Sequence, residues 1–229
     1  MRPPGPVSFS KGSLTINTSV RFVEEKMDCL TDVFKSRGGS GMNLKKMRNK
    51  TLTSTEFMQV WFHYDKDMNG YLEYVEFCQF MKDLFVKKDT SNITAKEVEK
   101  YTRDMIEIME THDENNDGKF EMSELANLLK LERNFLDKTI GQQSITDKQI
   151  KAILSHYNSN ADSTIEGPEL HAFIGDIARH LGLKLSLPVT EAGIMRTKEI
   201  VGTDTIDTAA IRCLLTAENI QKLKTSFDN

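Results

Sequence analysis

The sequence lacks several features that would assign it to common protein classes. Its three cysteines, Cys29, Cys78 and Cys213, are scattered and odd in number, which argues against a disulfide framework. No apolar run reaches 18 residues, so we expect no stable membrane insertion. The N-terminus has no apolar signal core. Together these absences favour a cytoplasmic protein.

Basic charge and enzyme motifs are also missing. The formal net charge is −4, so the sequence predicts no broad basic surface for nucleic acid. The five histidines are scattered, and none belongs to a recognisable local catalytic motif. The chain has no phosphate-binding glycine loop and no zinc-ligand spacing. We therefore expect a protein that is not an enzyme.

Two twelve-residue segments carry the strongest signal that is present. Residues 65–76 (loop one) and 113–124 (loop two) both match the calcium loop pattern D-x-[DN]-x-[DN]-G-x5-E at every position. Apolar residues recur at spacings of three and four on both sides of each loop, which indicates amphipathic flanking helices. This helix-loop-helix arrangement predicts two EF-hand calcium sites.

The two loops supply the oxygen ligands that calcium prefers, six to eight around the ion. In loop one the predicted ligands are Asp65, Asp67, Asn69, the carbonyl of Tyr71, Glu73 (directly or through water) and Glu76. In loop two they are Asp113, Asn115, Asp117, the carbonyl of Lys119, Glu121 and Glu124. Gly70 and Gly118 stand where the chain turns sharply. Magnesium binds the same oxygens, so we expect it to compete.

Residues 158–169 (loop three) follow the same template with weaker ligands. Asn158 replaces the first aspartate, and Ser163 stands in place of the turn glycine. The available ligands are Asn158, Asn160, Asp162, the carbonyl of Thr164, Glu166 and Glu169. Because one anionic ligand is lost, loop three is predicted to bind calcium more weakly, and the sequence does not decide whether it binds at physiological concentrations.

The three loops recur at intervals of about 45 residues, which indicates a repeat. A fourth unit around Gly202–Asp207 (loop four) has Ala210 where the last glutamate is needed, and a fifth at 19–52 has Lys46 there. We predict an all-α fold of paired EF-hands with short two-stranded contacts between loops. The predicted parts are an arm at 1–18, a degenerate hand at 19–52, a first pair at 53–135 and a second pair at 145–220.

The eighth position of each loop is apolar, and EF-hands pair through backbone contacts at this position. Leu72 should therefore lie opposite Phe120, and Ile165 opposite Ile206. Such a contact would explain why loop four persists without a full ligand set, because it covers the apolar face of its partner.

Methionines leave the mode of action open. Met58, Met81, Met105, Met109 and Met122 lie on or near the helices of the first pair. Methionine suits adaptable grooves that calcium sensors expose to a protein or peptide partner. It also fills ordinary cores, and most of these positions match the core template. A sensor, a pure buffer and a calcium-independent structural or adaptor subunit all remain compatible with the sequence.

Several segments resemble one family beyond the general calcium loop. Glu56–Asp65 resembles the entry to the third hand of the calbindin, calretinin and secretagogin family of six-hand calcium proteins. Lys119–Leu129 with Glu132–Phe135 resembles its fourth hand and the linker that follows. Tyr157, Glu166–Leu170, Phe173 and Asp176 resemble its fifth hand. The resemblance covers roughly residues 52–217.

The chain departs from the family pattern at defined places. The family's first hand is missing from the sequence, and its second is reduced to the ligand-free unit near residues 20–50. Asn158 stands where the fifth hand begins with aspartate. The resemblance implies a cytosolic calcium-binding protein that buffers calcium and binds partners in response to it, without catalysis.

Overall fold

The computed structural model describes Leu44 and residues 50–85, 94–142 and 144–227. Nine α-helices and two very short strands form there, which confirms the predicted all-α class. Within the described ranges, no helix is both long enough and apolar enough to cross a bilayer. The predicted arm at 1–18 lies outside the described residues, as does nearly all of the predicted hand at 19–52.

The elements follow the repeat along the chain. The helices are α1 (Ser54–Tyr64), α2 (Tyr74–Phe85), α3 (Ala95–His112), α4 (Met122–Leu129), α5 (Asp147–Tyr157), α6 (Pro168–His180), α7 (Leu187–Val201), α8 (Thr208–Leu214) and α9 (Ala217–Phe227). The strands are β1 (Tyr71–Leu72) and β2 (Phe120–Glu121), and a short 3₁₀ helix covers Phe135–Lys138. Loops one, two and three therefore connect α1 to α2, α3 to α4 and α5 to α6.

The three entry helices begin in the same way. In each, a threonine side chain accepts a hydrogen bond from the backbone N–H three residues later, and the side chain of that later residue accepts one from the threonine N–H. The threonines and their partners are Thr53 with Glu56, Thr94 with Glu97, and Thr146 with Gln149. This reciprocal cap satisfies two N–H groups that a helix start leaves unpaired.

Both predicted contacts between loops are confirmed. β1 and β2 are antiparallel, with Leu72 opposite Phe120. In the second contact, the N–H of Ile165 donates to the carbonyl of Ile206 at 2.9 Å, and the N–H of Ile206 donates back to Ile165 at 3.0 Å. All four side chains are fully buried. Loop four thus covers loop three despite its missing carboxylate.

Helix α1 of the predicted first pair packs extensively on α6 of the second. Gly175 permits close approach, because a Cβ there would lie 3.3 Å from the methyl group of Met58 and 2.9 Å from Leu185. One cluster of buried apolar side chains includes residues of both pairs. The boundaries 53–135 and 145–220 stay a prediction, since this packing joins the two segments.

A buried polar network lies in the same interface. The carboxylate of Asp176 on α6 accepts hydrogen bonds from the Ser54 hydroxyl at 2.9 Å, the Tyr157 hydroxyl at 2.6 Å and the Arg179 guanidinium at 2.8 Å. Burial raises the pKa of Asp176, while the hydrogen bonds from Tyr157 and Ser54 and the charge of Arg179 oppose that rise. Ser54 begins α1 and Tyr157 ends α5, so this one carboxylate connects three helices.

Candidate metal centres

The backbone takes the same path through all three loops. The fourth residue has positive φ in each, at 56° for Met68, 56° for Asn116 and 60° for Ala161. The sixth residue does as well, at 88° for Gly70, 76° for Gly118 and 80° for Ser163. Glycine adopts this conformation readily, whereas serine meets a steric cost. Loop three therefore keeps the turn of the intact loops even though it lacks their glycine.

Loop one gathers its carboxylates most closely. One oxygen each from Asp65, Asp67 and Glu76 lies within 4.8 Å of the others, and in the part of the chain that the structure describes no other three acidic, histidine or cysteine side chains meet this condition. The Asp65 carboxylate accepts hydrogen bonds from the N–H groups of Asn69 and Gly70 at 3.1 and 3.2 Å. Burial raises the pKa of Asp65, and the nearby charges of Glu76 and Asp67 add to this. Concentrated negative charge of this kind attracts a divalent cation.

The twelfth residue of loop one is held across the loop. Glu76 accepts from the N–H of Lys66 at 3.0 Å through one oxygen and from the N–H of Glu73 at 3.2 Å through the other. These bonds draw both carboxylate oxygens towards the loop. A bidentate ligand requires that both oxygens face the ion.

Loop two repeats this arrangement. The Asp113 carboxylate accepts from the N–H groups of Asp117 and Gly118 at 3.2 and 2.9 Å. Glu124, fully buried, accepts from the N–H groups of Glu114 and Glu121 at 2.9 and 2.8 Å. Burial raises the pKa of Glu124, and the charges of Glu121 and Asp113 act in the same direction.

The remaining predicted ligands of loops one and two lie at the loop surface. Asp67, Glu73, Asn115 and Asp117 are exposed, whereas Asn69, Tyr71, Lys119 and Glu121 are half-buried. Tyr71 and Lys119 are the seventh residues of their loops, which the sequence predicts to contribute backbone carbonyls. The Lys119 ammonium lies 3.6 Å from the centre of the Tyr71 ring, so the side chains at this position connect the two loops.

Loop three contains two buried oxygens without partners. Glu169 is 5% exposed, and one of its oxygens accepts from the N–H and the hydroxyl of Ser159, both at 2.7 Å. Its other oxygen and the Asn158 side-chain oxygen accept no hydrogen bond within the described residues, although both atoms are buried. Unpaired buried oxygens are costly, and a bound cation would satisfy them. The first and last ligand positions of this loop therefore fit a metal ion, whereas Asn160, Asp162 and Glu166 are exposed and Thr164 is half-buried.

The methionines of the first pair lie in the core. Met58, Met81, Met105, Met109 and Met122 are all buried, as is Trp61. Of the two interpretations that the sequence left open, this burial favours core filling over a surface groove.

Lys184 and the full network around Asp176 were not found by sequence reasoning. The ammonium of Lys184, between α6 and α7, lies 2.8 Å from a carboxylate oxygen of Glu121 in loop two. A single lysine in a polar connection has no local pattern that identifies a partner 63 residues away. Asp176 was noted only for its family resemblance, since no local pattern links it to Ser54.

Comparison with known proteins finds relatives over part of the chain. No family model matches it. Secretagogin of Mus musculus is 32% identical over 151 residues, which cover 65% of this chain and 53% of the relative. Secretagogin of Homo sapiens is 31% identical over 155 residues, covering 66% and 55%. Calbindin-32 of Drosophila melanogaster is 33% identical over 137 residues, covering 58% and 43%.

The chain spans about half the length of these curated relatives, from 43% to 55%. They are calcium-binding proteins and not enzymes, in agreement with the expectation that the chain has no catalytic function. Over the matched part, the chain is homologous to the calbindin and secretagogin family of EF-hand proteins, which confirms the resemblance inferred from its residues.

Proposed function

We propose that the protein binds calcium through loops one and two and acts as a cytoplasmic calcium sensor and buffer. The observation that carries this proposal is the close group of carboxylates in loop one, where Asp65, Asp67 and Glu76 bring three oxygens within 4.8 Å of one another. Loop two has the same backbone turn and the same hydrogen bonds to its first and last ligands. The relatives named calbindin and secretagogin support the same function.

Loop three is proposed as a weaker third site. The unpaired oxygens of Asn158 and Glu169 support cation binding there. The loop contains only three carboxylates, those of Asp162, Glu166 and Glu169, whereas loops one and two contain four among their predicted ligands. Ligand charge is one of the factors that set EF-hand affinity, so loop three should be the last to fill.

For the sensor role, we propose that calcium draws Glu76 and Glu124 inward and moves their exit helices, α2 and α4. Such a movement opens sensor hands and exposes an apolar groove to a protein or peptide partner. The apolar side chains that could form the groove, including Met58 and Trp61 on α1, are buried. Opening would therefore have to loosen the packing of α1 on α6.

Burial of the methionines favours a second candidate, a pure calcium buffer. Buffer hands barely open when they bind the ion. Met58 lies against Gly175 of α6, and breaking this contact would expose apolar surface on both helices. In a buffer the interface would stay closed while the loops filled. Magnesium would compete in both cases, because it uses the same oxygen ligands.

The ligand assignment is tested by replacing Glu76→Gln and Glu124→Gln together. Each substitution removes a charged oxygen from the bidentate position, so calcium affinity at both loops should fall by at least about 100-fold, as expected from the ligand's charge and denticity. Titration calorimetry in millimolar magnesium measures this loss. Glu99→Gln with Glu110→Gln is a matched control, because both glutamates lie exposed on α3 outside the loops. Two tight sites remaining in the Glu76/Glu124 variant would contradict the assignment.

The sensor and buffer roles are separated by an apolar dye, with Trp61 fluorescence recorded in parallel. A large calcium-dependent rise in dye binding, absent from the Glu76→Gln/Glu124→Gln variant, would support an exposed groove. A change in Trp61 emission without dye binding would support the buffer, since the ion would be held while no apolar surface became accessible.

A further inference from the structure

The segment between α6 and α7 carries a lysine to the edge of loop two. Hydrogen bonds hold the start of this segment, where the Leu181 and Leu183 N–H groups donate to Ile177 and Ala178 at 3.1 and 3.0 Å. Leu185 and Leu187 are 5% and 3% exposed, so they anchor its far side. Lys184 lies between these fixed points, and its position beside loop two is set by packing of the surrounding backbone.

The lysine contacts a predicted calcium ligand. Its ammonium lies 2.8 Å from one oxygen of Glu121, the ninth residue of loop two. The hydrogen bond to Glu121 raises the pKa of Lys184, and the charges of Glu121, Glu124 and Glu114 act in the same direction, so the ammonium lies near several carboxylates of loop two. A divalent cation in loop two would occupy the same field and would be repelled by this positive charge.

Loop one provides an internal comparison, since its ninth residue is also a glutamate. Within the described residues, no basic side chain forms an ion pair with Glu73. The predicted ligands of each loop include four carboxylates. Lys184 forms an ion pair with one of the four carboxylates of loop two. Lys119, whose ammonium lies over the Tyr71 ring, interacts with the charges of both Asp117 and Glu73, so it does not favour one loop in the same way. The two loops therefore differ in effective charge although their ligand patterns are equivalent.

We propose that Lys184 is a built-in competitor of calcium at loop two, which lowers the affinity of that loop relative to loop one. This inference rests on the proposed function, because it requires that loop two bind calcium. The Lys184 side chain is 52% exposed, and a cleft lined by Glu114, Asn127 and Leu185 opens beside it. The side chain can therefore move into solvent when calcium enters, without any change in the core.

The test measures calcium binding in a Glu76→Gln background, where loop two should be the tighter of the two remaining sites. Adding Lys184→Gln should tighten binding at loop two by about fivefold at low salt, a modest effect because the pair is partly exposed. The gain should shrink to about twofold or less in 0.5 M KCl, since salt screens the ammonium. Lys184→Arg retains the charge and should keep the affinity of the background chain. Titration calorimetry measures all three.

Lys198→Gln is the matched control, because Lys198 on α7 is similarly exposed and pairs with Asp204 of loop four. It should leave loop two unchanged. Equal affinity with and without Lys184→Gln, or the same gain from Lys198→Gln, would overturn the role of Lys184 and leave the proposed function intact. If the unsubstituted chain binds no calcium, the proposed function fails first and this inference with it.

Discussion

The two predicted pairs share a backbone scaffold but differ in their ligands. In the first pair, loops one and two have full ligand patterns and meet through a two-residue ladder. In the second, loop three has fewer carboxylates, loop four lacks the last one, and the loops meet through the single bridge of Ile165 and Ile206. The turn of the loop and its apolar contact thus persist where ligands have been lost, because they depend on packing and backbone conformation.

The pairs also differ in how they use their exit helices. α6 of the second pair packs on α1 and presents the buried Asp176, which accepts a hydrogen bond from Ser54. In the first pair, the corresponding helices α2 and α4 follow the two intact loops. The second pair therefore combines a weaker metal site with a structural contact to the first. Three substitutions test this division of roles.

Asp176→Ala should have the largest effect on stability. It leaves the buried hydroxyls of Ser54 and Tyr157 without their acceptor and Arg179 without its ion pair, so the free energy of unfolding should fall by about 4 kcal/mol. Urea unfolding followed by Trp61 fluorescence measures the loss. Asp137→Ala serves as the control, because Asp137 is exposed and, among the residues that the structure describes, forms an ion pair only with His180, so its effect should stay under about 0.5 kcal/mol. Similar losses of unfolding free energy in both variants would mean that the buried Asp176 has no special structural role in the second pair.

Ile206→Ala tests whether loop four has a structural role. The side chain is fully buried opposite Ile165, and its truncation should lower the free energy of unfolding by about 3 kcal/mol. It should also weaken any calcium binding at loop three, since its partner loop would lose support. Ile206→Val keeps most of the contact and should cost about 1 kcal/mol. The same urea titration measures both, and a negligible effect of the alanine variant would mean that loop four does not stabilise loop three.

Asn158→Asp should reduce the difference in calcium affinity between the second pair and the first. It gives loop three a fourth carboxylate at a position where the asparagine oxygen is buried and accepts no hydrogen bond from the described part of the chain. Calcium affinity at this loop should rise by about tenfold, because an added anionic ligand strengthens calcium binding in EF-hands. Calorimetry in the Glu76→Gln/Glu124→Gln background isolates this site.

Ser155→Asp is the control for Asn158→Asp, because it adds the same charge on an exposed position of α5 outside the loop. Its effect on affinity should stay below about twofold, since a solvent-exposed charge is screened. If Asn158→Asp and Ser155→Asp raised calcium affinity equally, the added negative charge alone would explain the change, and position 158 would not act as a ligand position.

Much of the site could be predicted because its signals are local. Each loop contains its ligands within twelve residues, and the eighth position identified Leu72, Phe120, Ile165 and Ile206 as contacts that the structure confirms. Helical spacing of apolar residues predicted an amphipathic helix before loop one, and the structure forms α1 there with Trp61 fully buried. Ser163 keeps the turn of the intact loops at φ 80°, a conformation that costs serine more than the glycine of loops one and two.

The sequence by itself determined the repeat, the all-α class, the candidate ligands and the pairing of loops, because each depends on residues at fixed short spacings. Only the tertiary structure decided that α1 packs on α6, that Ser54 donates to Asp176 across 122 residues, and that Lys184 reaches Glu121 across 63. Contacts of this kind depend on how completed helices pack against one another. No periodic pattern in the sequence predicts that packing, because many different combinations of apolar side chains can fill the same interface.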